Sequence, residues 1–480
     1  MTNSSPTRIV VIGSGPAGFY AAGHLLADSS GLIEVDMFER LPTPWGLVRS
    51  GVAPDHPKIK SVTRVYEKTA EHPRFRYFGN IELGSDVSRA ELAERYHAIV
   101  YATGSLTDRP LGIPGEDLPG SWAATDFVGW YNAHPEYRDL EFDLSGERAV
   151  VIGNGNVALD VARMLMLSHS ELSKTDTANH ALDVLEHSSI REVVVVGRRG
   201  PAQAAFTNPE LRELRDLEDV DVVVDPDELE RALAVDDPNM SKTAERNVST
   251  LREYAERPPT KDRRVVLRFL LSPVELHGDE QGVREVVLVR NELTADESGA
   301  LRARATGEQE ILPAQLVMRA IGYRGVPLPE VPFDEHRCVI PNERGRVIGQ
   351  DGSHRPGEYV VGWIKRGPTG IIGTNKKDAQ ETVDAILEDL AADRLAEPSM
   401  PDPEDLERML RERKPNLVTY AGWSQIDRHE RTLGEPHGRP RVKLANIEEM
   451  LVIAASEHPD AGESADGDAA DTAAQSTAAR

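Results

Sequence analysis

The sequence has almost no cysteine, since Cys338 is the only one in 480 residues. A single thiol cannot form an internal disulfide, a Cys-x-x-Cys redox pair or an iron–sulfur cluster. The chain is therefore neither a disulfide reductase that works through its own dithiol nor an electron carrier with its own cluster. No metal site is predicted.

Long apolar runs and basic character are also missing. No stretch approaches the ~18 apolar residues that a membrane span requires. The N-terminus shows no charged-then-apolar signal pattern. We therefore expect a cytoplasmic protein, or one already processed, with no membrane span. The net charge of −25 argues against nucleic acid as a partner.

The end of the chain has a composition of its own. From Ser456 to Arg480 there are six acids, one base and many Ala, Ser and Gly, without aromatic residues, Leu, Ile or Val. Such a segment cannot bury a core, so we expect a disordered acidic tail over 456–480. The remaining length is enough for two domains.

Glycine is present in two matching patterns. Residues 13–18 (GSGPAG) follow the apolar stretch 9–12, and residues 153–158 (GNGNVA) follow 149–152. In such a strand–turn–helix unit the glycines let the backbone bend sharply and approach a pyrophosphate at the positive end of the helix. One such turn is weak evidence. Two in one chain predict two bound dinucleotides and flavin-dependent hydride transfer.

The strand after each turn indicates which nucleotide is bound. Glu39 ends the strand 33–39, 21 residues past Gly18, where a carboxylate would bind a ribose 2′-hydroxyl and repel a 2′-phosphate. This site is predicted to take FAD or NAD. The strand 192–197 ends instead in Arg198 and Arg199, which match a phosphate dianion and predict NADP. The alternative for the arginines is a solvated strand end.

The order of the segments predicts one domain inserted into another. The second unit departs from the simple fingerprint, because the polar stretch 168–189 must lengthen its crossover. Strands at 98–101 and 316–319 each run into a glycine turn, at Gly104 and Gly322, where the chain would leave the first domain and return to it. Between about 260 and 312, alternating segments such as 264–269 and 285–289 predict antiparallel strands that pack onto the second sheet.

A third glycine-rich segment lies in the returning part of the chain. Residues 362–375 (GWIKRGPTGIIGTN) precede a predicted helix at about 376–391. A glycine turn that leads into a helix N-terminus presents N–H groups and a positive dipole to an anion. We therefore expect this segment to stabilise the negative charge that reduced flavin carries on its pyrimidine side.

Residues 46–58 (GLVRSGVAPDHPK), together with 362–375, resemble the adrenodoxin reductase family, and within it the actinobacterial NADPH-ferredoxin reductases. The resemblance covers nearly all of residues 8–453. It implies an α/β fold of two Rossmann-like domains in a glutathione-reductase-like arrangement. The FAD domain would comprise about 1–104 and 325–455, and the inserted NADP domain about 105–324.

The resemblance, added to the glycine turns, also implies the residues that contact each cofactor. For FAD these are Gly13, Gly15, Ala17, Gly18, Glu39, Leu47, Leu83, Trp363, Gly370, Ile371 and Ile372. For NADP(H) they are Arg109, Asn154, Gly155, Asn156, Val157, Arg198, Arg199, Glu210 and Gly370.

The implied activity is electron transfer from NADPH, as a two-electron hydride, through FAD to a ferredoxin-type iron–sulfur protein one electron at a time, reversible in principle. With one cysteine in this chain, the ferredoxin must be a separate chain. Three catalytic candidates follow. His56 would lie beside the reacting rings, or be a structural histidine. Glu213 is a weaker candidate or an ordinary helix acid. Trp363 could cover the flavin or nicotinamide face.

Lys60, Arg64 and Lys68 recur every fourth residue just after the 46–58 motif. On one helix face they would form a positive stripe that steers an acidic ferredoxin, or simply a solvated face. Two other functions remain open for the whole chain. It could be a general NADPH diaphorase or quinone reductase with the same cofactor sites, or a non-catalytic nucleotide-sensing flavoprotein.

Overall fold

The computed structural model describes residues 6–235, 240–297 and 299–456. The predicted acidic tail, apart from Ser456, lies outside the described residues. The strands are β1 (Thr7–Ile12), β2 (Ile33–Glu39), β3 (Phe75–Gly79), β4 (Ala98–Tyr101), β5 (Thr107–Asp108), β6 (Ser121–Ala123), β7 (Arg148–Ile152), β8 (Glu192–Gly197), β9 (Val220–Val224), β10 (Arg263–Phe269), β11 (Leu271–Asp279), β12 (Gly282–Ala295), β13 (Leu301–Pro313), β14 (Leu316–Arg319), β15 (Tyr323–Arg324), β16 (Asn342–Glu343), β17 (Arg346–Ile348) and β18 (His354–Val360).

The helices are α1 (Pro16–Leu26), α2 (Leu47–Ser50), α3 (Pro57–Lys60), α4 (Thr63–Ala70), α5 (Arg89–Ala93), α6 (Ala124–Tyr131), α7 (Asn156–Met166), α8 (His169–Leu172), α9 (Asn179–Glu186), α10 (Asn208–Glu213), α11 (Pro226–Leu233), α12 (Lys242–Ala255), α13 (Trp363–Arg366), α14 (Thr374–Ala391), α15 (Pro403–Arg413), α16 (Tyr420–Gly434) and α17 (Ile447–Ala454). Short 3₁₀ turns occur at Pro135–Tyr137, Pro201–Gln203, Leu214–Asp216 and Glu435–His437. None of the described helices is long and apolar enough to cross a bilayer.

The first sheet combines strands from both ends of the chain, in the order β16-β17-β18-β4-β1-β2-β3. Strands β18, β4, β1, β2 and β3 are parallel, and β16, β17 and β18 form an antiparallel edge. Because β1 lies between β2 and β4, the strand order reverses there. Such a reversal opens a crevice at the carboxyl end of the strand, where dinucleotides bind.

The second sheet has six parallel strands in the order β6-β14-β7-β8-β10-β9. Its order reverses at β7, which lies between β8 and β14. Every residue of β8 is buried, as expected for a parallel strand covered on both faces. The α/β class with two Rossmann-like units is therefore confirmed, and each glycine turn follows the strand at a reversal point.

A three-stranded antiparallel sheet, β11-β12-β13, covers one face of the second parallel sheet. Val150 and Val194 of the parallel sheet share a buried cluster with Leu276, Val286 and Leu288 of the antiparallel sheet. The prediction for 285–289 is therefore confirmed. A separate ribbon pairs β5 with β15, so the two chain connections between the large sheets run side by side.

The prediction that 264–269 is an antiparallel strand is wrong. β10 pairs with β8 and β9 in parallel and belongs to the second dinucleotide sheet. Its alternating pattern arises because Val265, Leu267 and Phe269 pack on the helix side, whereas Arg268 lies on the other face and pairs with Glu228 and Glu310. Alternation thus identified the strand but could not give its direction.

Candidate dinucleotide sites

Three glycines shape the turn between β1 and α1, each in a different way. Gly13 has φ = 107°, and a Cβ there would lie 2.6 Å from the carbonyl oxygen of Ala102. A Cβ on Gly18 would overlap the carbonyl oxygen of Gly13, so Gly18 lets α1 approach β1 closely. A Cβ on Gly15 would meet nothing within 4 Å. The space beside the first turn of α1 therefore fits a pyrophosphate.

The acid that ends β2 lies against this turn. Glu39 Oε2 accepts hydrogen bonds from Ser14 N at 3.1 Å and Ser14 Oγ at 2.6 Å, and Glu39 Oε1 accepts one from Leu41 N at 3.1 Å. These bonds fix the carboxylate where a ribose hydroxyl beside the turn would donate to it. The residues fit an adenine dinucleotide that lacks a 2′-phosphate, as FAD does.

The turn between β7 and α7 repeats the arrangement. Gly153 has φ = 135°, and a Cβ there would overlap the carbonyl oxygen of Ala320. A Cβ on Gly155 would have only the Cβ of Ala205 within reach, 4.0 Å away. Within the described residues the Asn154 Nδ2 group is buried without a hydrogen-bond partner. A buried, unpaired donor beside open space fits an acceptor on a bound ligand.

The arginine pair lies at the end of β8. Among the described residues, neither Arg198 nor Arg199 forms a side-chain hydrogen bond or ion pair. Burial, followed by the nearby cations Arg198 and Arg302, lowers the pKa of Arg199. Adjacent guanidiniums that lack an anion fit the 2′-phosphate of NADP, which can accept bidentate hydrogen bonds from each.

The antiparallel sheet holds the backbone of this arginine pair. Asn291 Nδ2, on β12, donates to the carbonyl oxygen of Arg198 at 2.9 Å and to Ser272 Oγ at 2.8 Å. The Leu270 N–H donates to the carbonyl oxygen of Arg199 at 3.2 Å. The added sheet thus fixes the direction in which both side chains leave the strand end.

The returning segment closes on the first turn. A Cβ on Gly362, which has φ = 79°, would lie 2.5 Å from the Cβ of Ala17 on α1. Trp363 Nε1 donates to the carbonyl oxygen of Thr369 at 3.2 Å, which pins the glycine-rich turn. Ile371 in this turn is 63% exposed. The segment therefore places the Trp363 indole, an exposed glycine-rich turn and the start of α14 beside the first dinucleotide site.

A charged cluster joins the two units between their glycine turns. His56 Nε2 lies 2.8 Å from Glu213 Oε2 at the end of α10. Arg163, on α7, donates from NH1 to the same Glu213 oxygen at 2.9 Å and from NH2 to Asp55 Oδ2 at 2.7 Å. The structure thus brings together His56 and Glu213, which were separate candidates in the sequence analysis.

Two more acids complete this cluster. Glu210 Oε2 is 3.7 Å from His56 Nε2, and Asp160 Oδ1 is 4.0 Å from His56 Nδ1. Burial raises the pKa of Asp160 to about 7, although Arg163 and His56 oppose the rise. A ring nitrogen of His56 and one carboxylate oxygen each of Glu210 and Glu213, atoms that could coordinate a metal ion, lie within 4.8 Å of one another. Arg163 NH1 lies 3.6 Å or less from a carboxylate oxygen of each of Asp160, Glu210 and Glu213, so one guanidinium already faces these three acids.

The sequence analysis missed Asp55, Asp160 and Arg163. Asp160 and Arg163 stand three residues apart on the helix after the second glycine turn, which was the one local signal available. Asp55 lies inside the 46–58 motif. Nothing in the sequence tells that it meets Arg163, because the pair is 108 positions apart along the chain.

Known proteins are similar to this chain over nearly its whole length. Residues 7–214 match the model of a family described as pyridine nucleotide-disulphide oxidoreductase. The NADPH-ferredoxin reductase FprA of Mycobacterium tuberculosis is 56% identical over 457 residues, covering 93% of this chain and 99% of the relative. The mitochondrial NADPH:adrenodoxin oxidoreductase of Arabidopsis thaliana is 41% identical over 469 residues, which cover 95% of this chain and 96% of the relative. The chain belongs to the adrenodoxin reductase family.

A solved member of this family has the same fold. The structure of Mycobacterium tuberculosis FprA in complex with NADPH is 55% identical, with a TM-score of 0.89 over 94% of this chain and 100% of that one. This adrenodoxin reductase family member is accordingly an oxidoreductase. The family resemblance stated from residues 46–58 and 362–375 is confirmed.

The resemblance implies five further cofactor contacts: Leu47, Leu83, Arg109, Asn156 and Val157. Leu83 is 7% exposed. Asn156 Oδ1 accepts a hydrogen bond from Thr207 N at 2.8 Å, and Arg109 is exposed just after β5. These contacts remain predictions.

The predicted stripe of Lys60, Arg64 and Lys68 on one helix is wrong. The helical path is interrupted at residues 61–62, so Lys60 ends α3 while Arg64 and Lys68 belong to α4. Lys60 Nζ lies 2.6 Å from Asp176 Oδ1 and is 14% exposed. A buried carboxylate therefore draws Lys60 away from the surface, and only the other two cations share an exposed face.

The glycine turns give a prediction for ligand binding. Gly15→Ala should fold normally, because Gly15 has φ = −75° and open space around it, but should weaken FAD binding by roughly 5- to 100-fold through overlap with the pyrophosphate. Fluorescence titration of the apoprotein with FAD measures this. Gly13→Ala, which would strike Ala102, is the contrasting variant and should lower the thermal midpoint. Unchanged FAD affinity in a folded Gly15→Ala protein would contradict the assignment.

Asp160 gives a prediction for pH. Its pKa is about 7 in the folded protein against an ordinary value of 3.8, so the folded state keeps a proton that the unfolded chain releases between these values. Stability should therefore fall as pH rises through this window. Asp160→Asn should flatten that fall in the thermal midpoint between pH 5 and pH 8, by the equivalent of about 2 kcal/mol. Parallel wild-type and variant curves would show that Asp160 is already ionised.

Proposed function

We propose that this protein transfers electrons from NADPH, through bound FAD, to a ferredoxin-type iron–sulfur protein. The observation that carries the proposal is that the two glycine turns are accompanied by residues of opposite charge, which select opposite kinds of nucleotide. Glu39 lies beside the first turn, and Arg198 and Arg199 lie at the end of β8, the strand that follows the second turn. A site that rejects a 2′-phosphate and a site that binds one, on either side of a shared charged cluster, are what an NADPH-dependent flavoprotein requires.

The residues divide into two binding sets and a junction. The first turn, Glu39 and the 362–372 segment would hold FAD. The second turn and the arginine pair would hold NADPH. Bound FAD supplies the conversion between hydride transfer and single-electron transfer. Where the two sites meet, His56 is held by Glu213 and would orient the nicotinamide, and Trp363 would cover a ring face.

We propose domain boundaries that follow the two large sheets. Residues 1–104 and 325–455 would form the FAD domain, and 105–324 the NADP domain. The ribbon of β5 and β15 supports these limits, because it contains both connections between the sheets. The ferredoxin would be a separate chain, because Cys338 alone cannot hold a cluster, and the reaction would take place in the cytoplasm.

The test is reduction of cytochrome c by NADPH, with and without members of a ferredoxin panel. Saturable stimulation by one ferredoxin is the expected result. Rapid reduction of quinones or dyes without any ferredoxin effect would favour a general NADPH diaphorase. Failure of NADPH to bleach bound FAD would instead leave a non-catalytic nucleotide-binding flavoprotein.

A further inference from the structure

The lengthened crossover of the second unit, residues 168–189, joins the two parts of the candidate NADP site. It connects α7, which begins at the second glycine turn, to β8, which ends at the arginine pair. Between its two short helices, residues 173–178 form neither helix nor strand. Backbone carbonyls in such a connection need hydrogen-bond partners wherever they are packed against protein. Two of these carbonyls find their partner in the proposed FAD domain.

That partner is the guanidinium of Arg439, which follows α16. Its Nε donates to the carbonyl oxygen of Thr175 at 2.9 Å, and its NH2 donates to the carbonyl oxygen of Thr177. Its NH1 donates to Asn179 Oδ1 at 2.6 Å. Because a guanidinium is a rigid planar fork, three acceptors around it are fixed in angle as well as in distance. Arg439 is only partly buried, so it does not serve to fill a core.

Lys443 forms a second link between the same segments. Its Nζ donates to Asn132 Oδ1 at 2.8 Å, just after α6, and lies 3.2 Å from Asp176 Oδ2 in the crossover. It also donates to the carbonyl oxygen of Arg49 at 3.0 Å. These three partners match the three N–H groups of the ammonium. One buried side chain therefore ties two segments of the proposed NADP domain to the 46–58 motif.

The segment 439–444 is itself held firmly on α16. The Val442 N–H donates to the carbonyl oxygen of Glu430 at 2.9 Å, and the Leu444 N–H donates to Glu430 Oε1 at 2.9 Å. The same buried carboxylate accepts from Arg49 NH1 at 2.8 Å. The backbone that carries both linking side chains is therefore a rigid part of the proposed FAD domain.

The 46–58 motif continues these contacts to the first glycine turn. A Cβ on Gly46 would lie 2.9 Å from the Cα of Gly15, so the two backbones touch. The Trp45 N–H donates to the carbonyl oxygen of Ser14 at 3.1 Å. Contacts thus run without a break from the first glycine turn, through the 46–58 motif and the segment 439–444, to the crossover of the second unit.

Hydride transfer makes the relative orientation of the two units important. The reacting atoms must lie about 3–3.5 Å apart, and a misplacement of about 1 Å can cost about 100-fold in rate. Here the two cofactors would be bound by different units. Domains of one chain move relative to each other unless their interface prevents it. The enzyme therefore needs contacts that fix this orientation.

We propose that Arg439 is a positioning residue for hydride transfer, which holds the crossover 168–189, and with it the NADP domain, in the orientation that brings the nicotinamide to the flavin. The proposal rests on the proposed function and gives the lengthened crossover a task. The three hydrogen bonds of the guanidinium go to the crossover and not to a glycine turn. Arg439 therefore acts through domain orientation and touches neither cofactor.

The test is Arg439→Ala in the FAD-loaded enzyme. Bleaching of the flavin by saturating NADPH, followed by stopped flow, should slow about tenfold. The Kd for NADP⁺ and the FAD content should not change, because both glycine turns, Glu39 and the arginine pair are intact. Without any nucleotide added, backbone amides of residues 168–182 should exchange hydrogen faster than in the wild type, which is a readout independent of activity.

Arg74→Ala is the control for loss of an arginine that binds carbonyls. Arg74 is also partly buried and donates from NH1 to the carbonyl oxygen of Ile33 at 2.7 Å and from NH2 to that of Leu26 at 2.9 Å. All three residues lie within the proposed FAD domain. This variant should leave the bleaching rate and the exchange of 168–182 unchanged.

Asn179→Ala tests the same contact from the other domain with little effect on folding, because it removes a single acceptor. It should slow bleaching less than Arg439→Ala, and the double variant should be no slower than Arg439→Ala alone, since both changes remove one contact. Wild-type bleaching rates in folded Arg439→Ala, equal slowing in Arg74→Ala, or a weakened Kd for NADP⁺ that accounts for the slowing would each overturn the positioning role and leave the proposed function intact. A wild-type enzyme whose FAD is not bleached by NADPH would overturn both.

Discussion

Replacing Arg198 and Arg199 together with alanine is expected to lower the preference for NADPH over NADH by ~100-fold or more, measured as the ratio of kcat/KM values. Each charge-assisted hydrogen bond to a phosphate contributes roughly 1.5–3 kcal/mol, and about 1.4 kcal/mol corresponds to a factor of ten. Neither guanidinium is compensated by a carboxylate among the described residues, so binding the 2′-phosphate breaks no existing ion pair.

The loss should be specific to the phosphate. Activity with NADH and FAD content should be unchanged, because the second glycine turn and the carbonyls held by Asn291 and Leu270 are left in place. Arg198→Lys with Arg199→Lys is the conservative control. This variant keeps two positive charges but loses the bidentate guanidinium geometry. Its preference for NADPH over NADH should therefore lie between those of the wild type and the double alanine variant. Equal losses with NADPH and NADH would mean that the arginines support the strand end rather than select the coenzyme.

Local signals in the sequence predicted the framework of both sites. β2 covers Ile33–Glu39 and β8 covers Glu192–Gly197, as the apolar runs indicated, because each run is bounded by turn residues and mostly buried in a parallel sheet. The glycine turns at 13–18 and 153–158 could be recognised because the strand–turn–helix pattern and the positive φ values of Gly13 and Gly153 are local, although Ala102 and Ala320, which crowd these glycines, are distant in the sequence. This part of the fold is determined by short stretches of the sequence.

Features that depend on distant pairs could not be read in this way. The direction of β10 is set by its crossover connections and not by its alternating residues. The pairing of Lys60 could not be predicted, because its partner carboxylate lies 116 positions away along the chain. The link of His56 to Arg163 through Glu213 has the same character. Periodicity reports which side of an element is buried, but not which charge lies opposite.

Asp176 provides the second large expected effect. It lies between α8 and α9, in the long crossover of the second unit, and its side chain is 7% exposed. Asp176 Oδ1 is 2.6 Å from Lys60 Nζ, and Oδ2 is 3.2 Å from Lys443 Nζ, which is 1% exposed. Burial alone would raise the pKa of Asp176, but the ammonium groups of Lys443 and Lys60 hold it below its usual range.

Asp176→Ala is therefore expected to lower the free energy of unfolding by about 3–5 kcal/mol, because two buried ammonium groups lose their shared counter-charge. Denaturant unfolding followed by circular dichroism measures the loss. Glu230→Ala is the matched control: Glu230 pairs with Arg252 at a site where both side chains are more than half exposed, and its removal should cost no more than about 1 kcal/mol.

A second substitution shows whether the loss comes from unpaired charge. Lys443→Met removes one of the two ammonium groups, so Asp176→Ala in that background should cost clearly less than in the wild type. Equal costs in the two backgrounds would place the effect in packing or in the backbone of 175–179, whose carbonyls at Thr175 and Thr177 accept from Arg439. Because Lys60 lies four residues after His56, loss of this cluster should also loosen the junction between the dinucleotide sites.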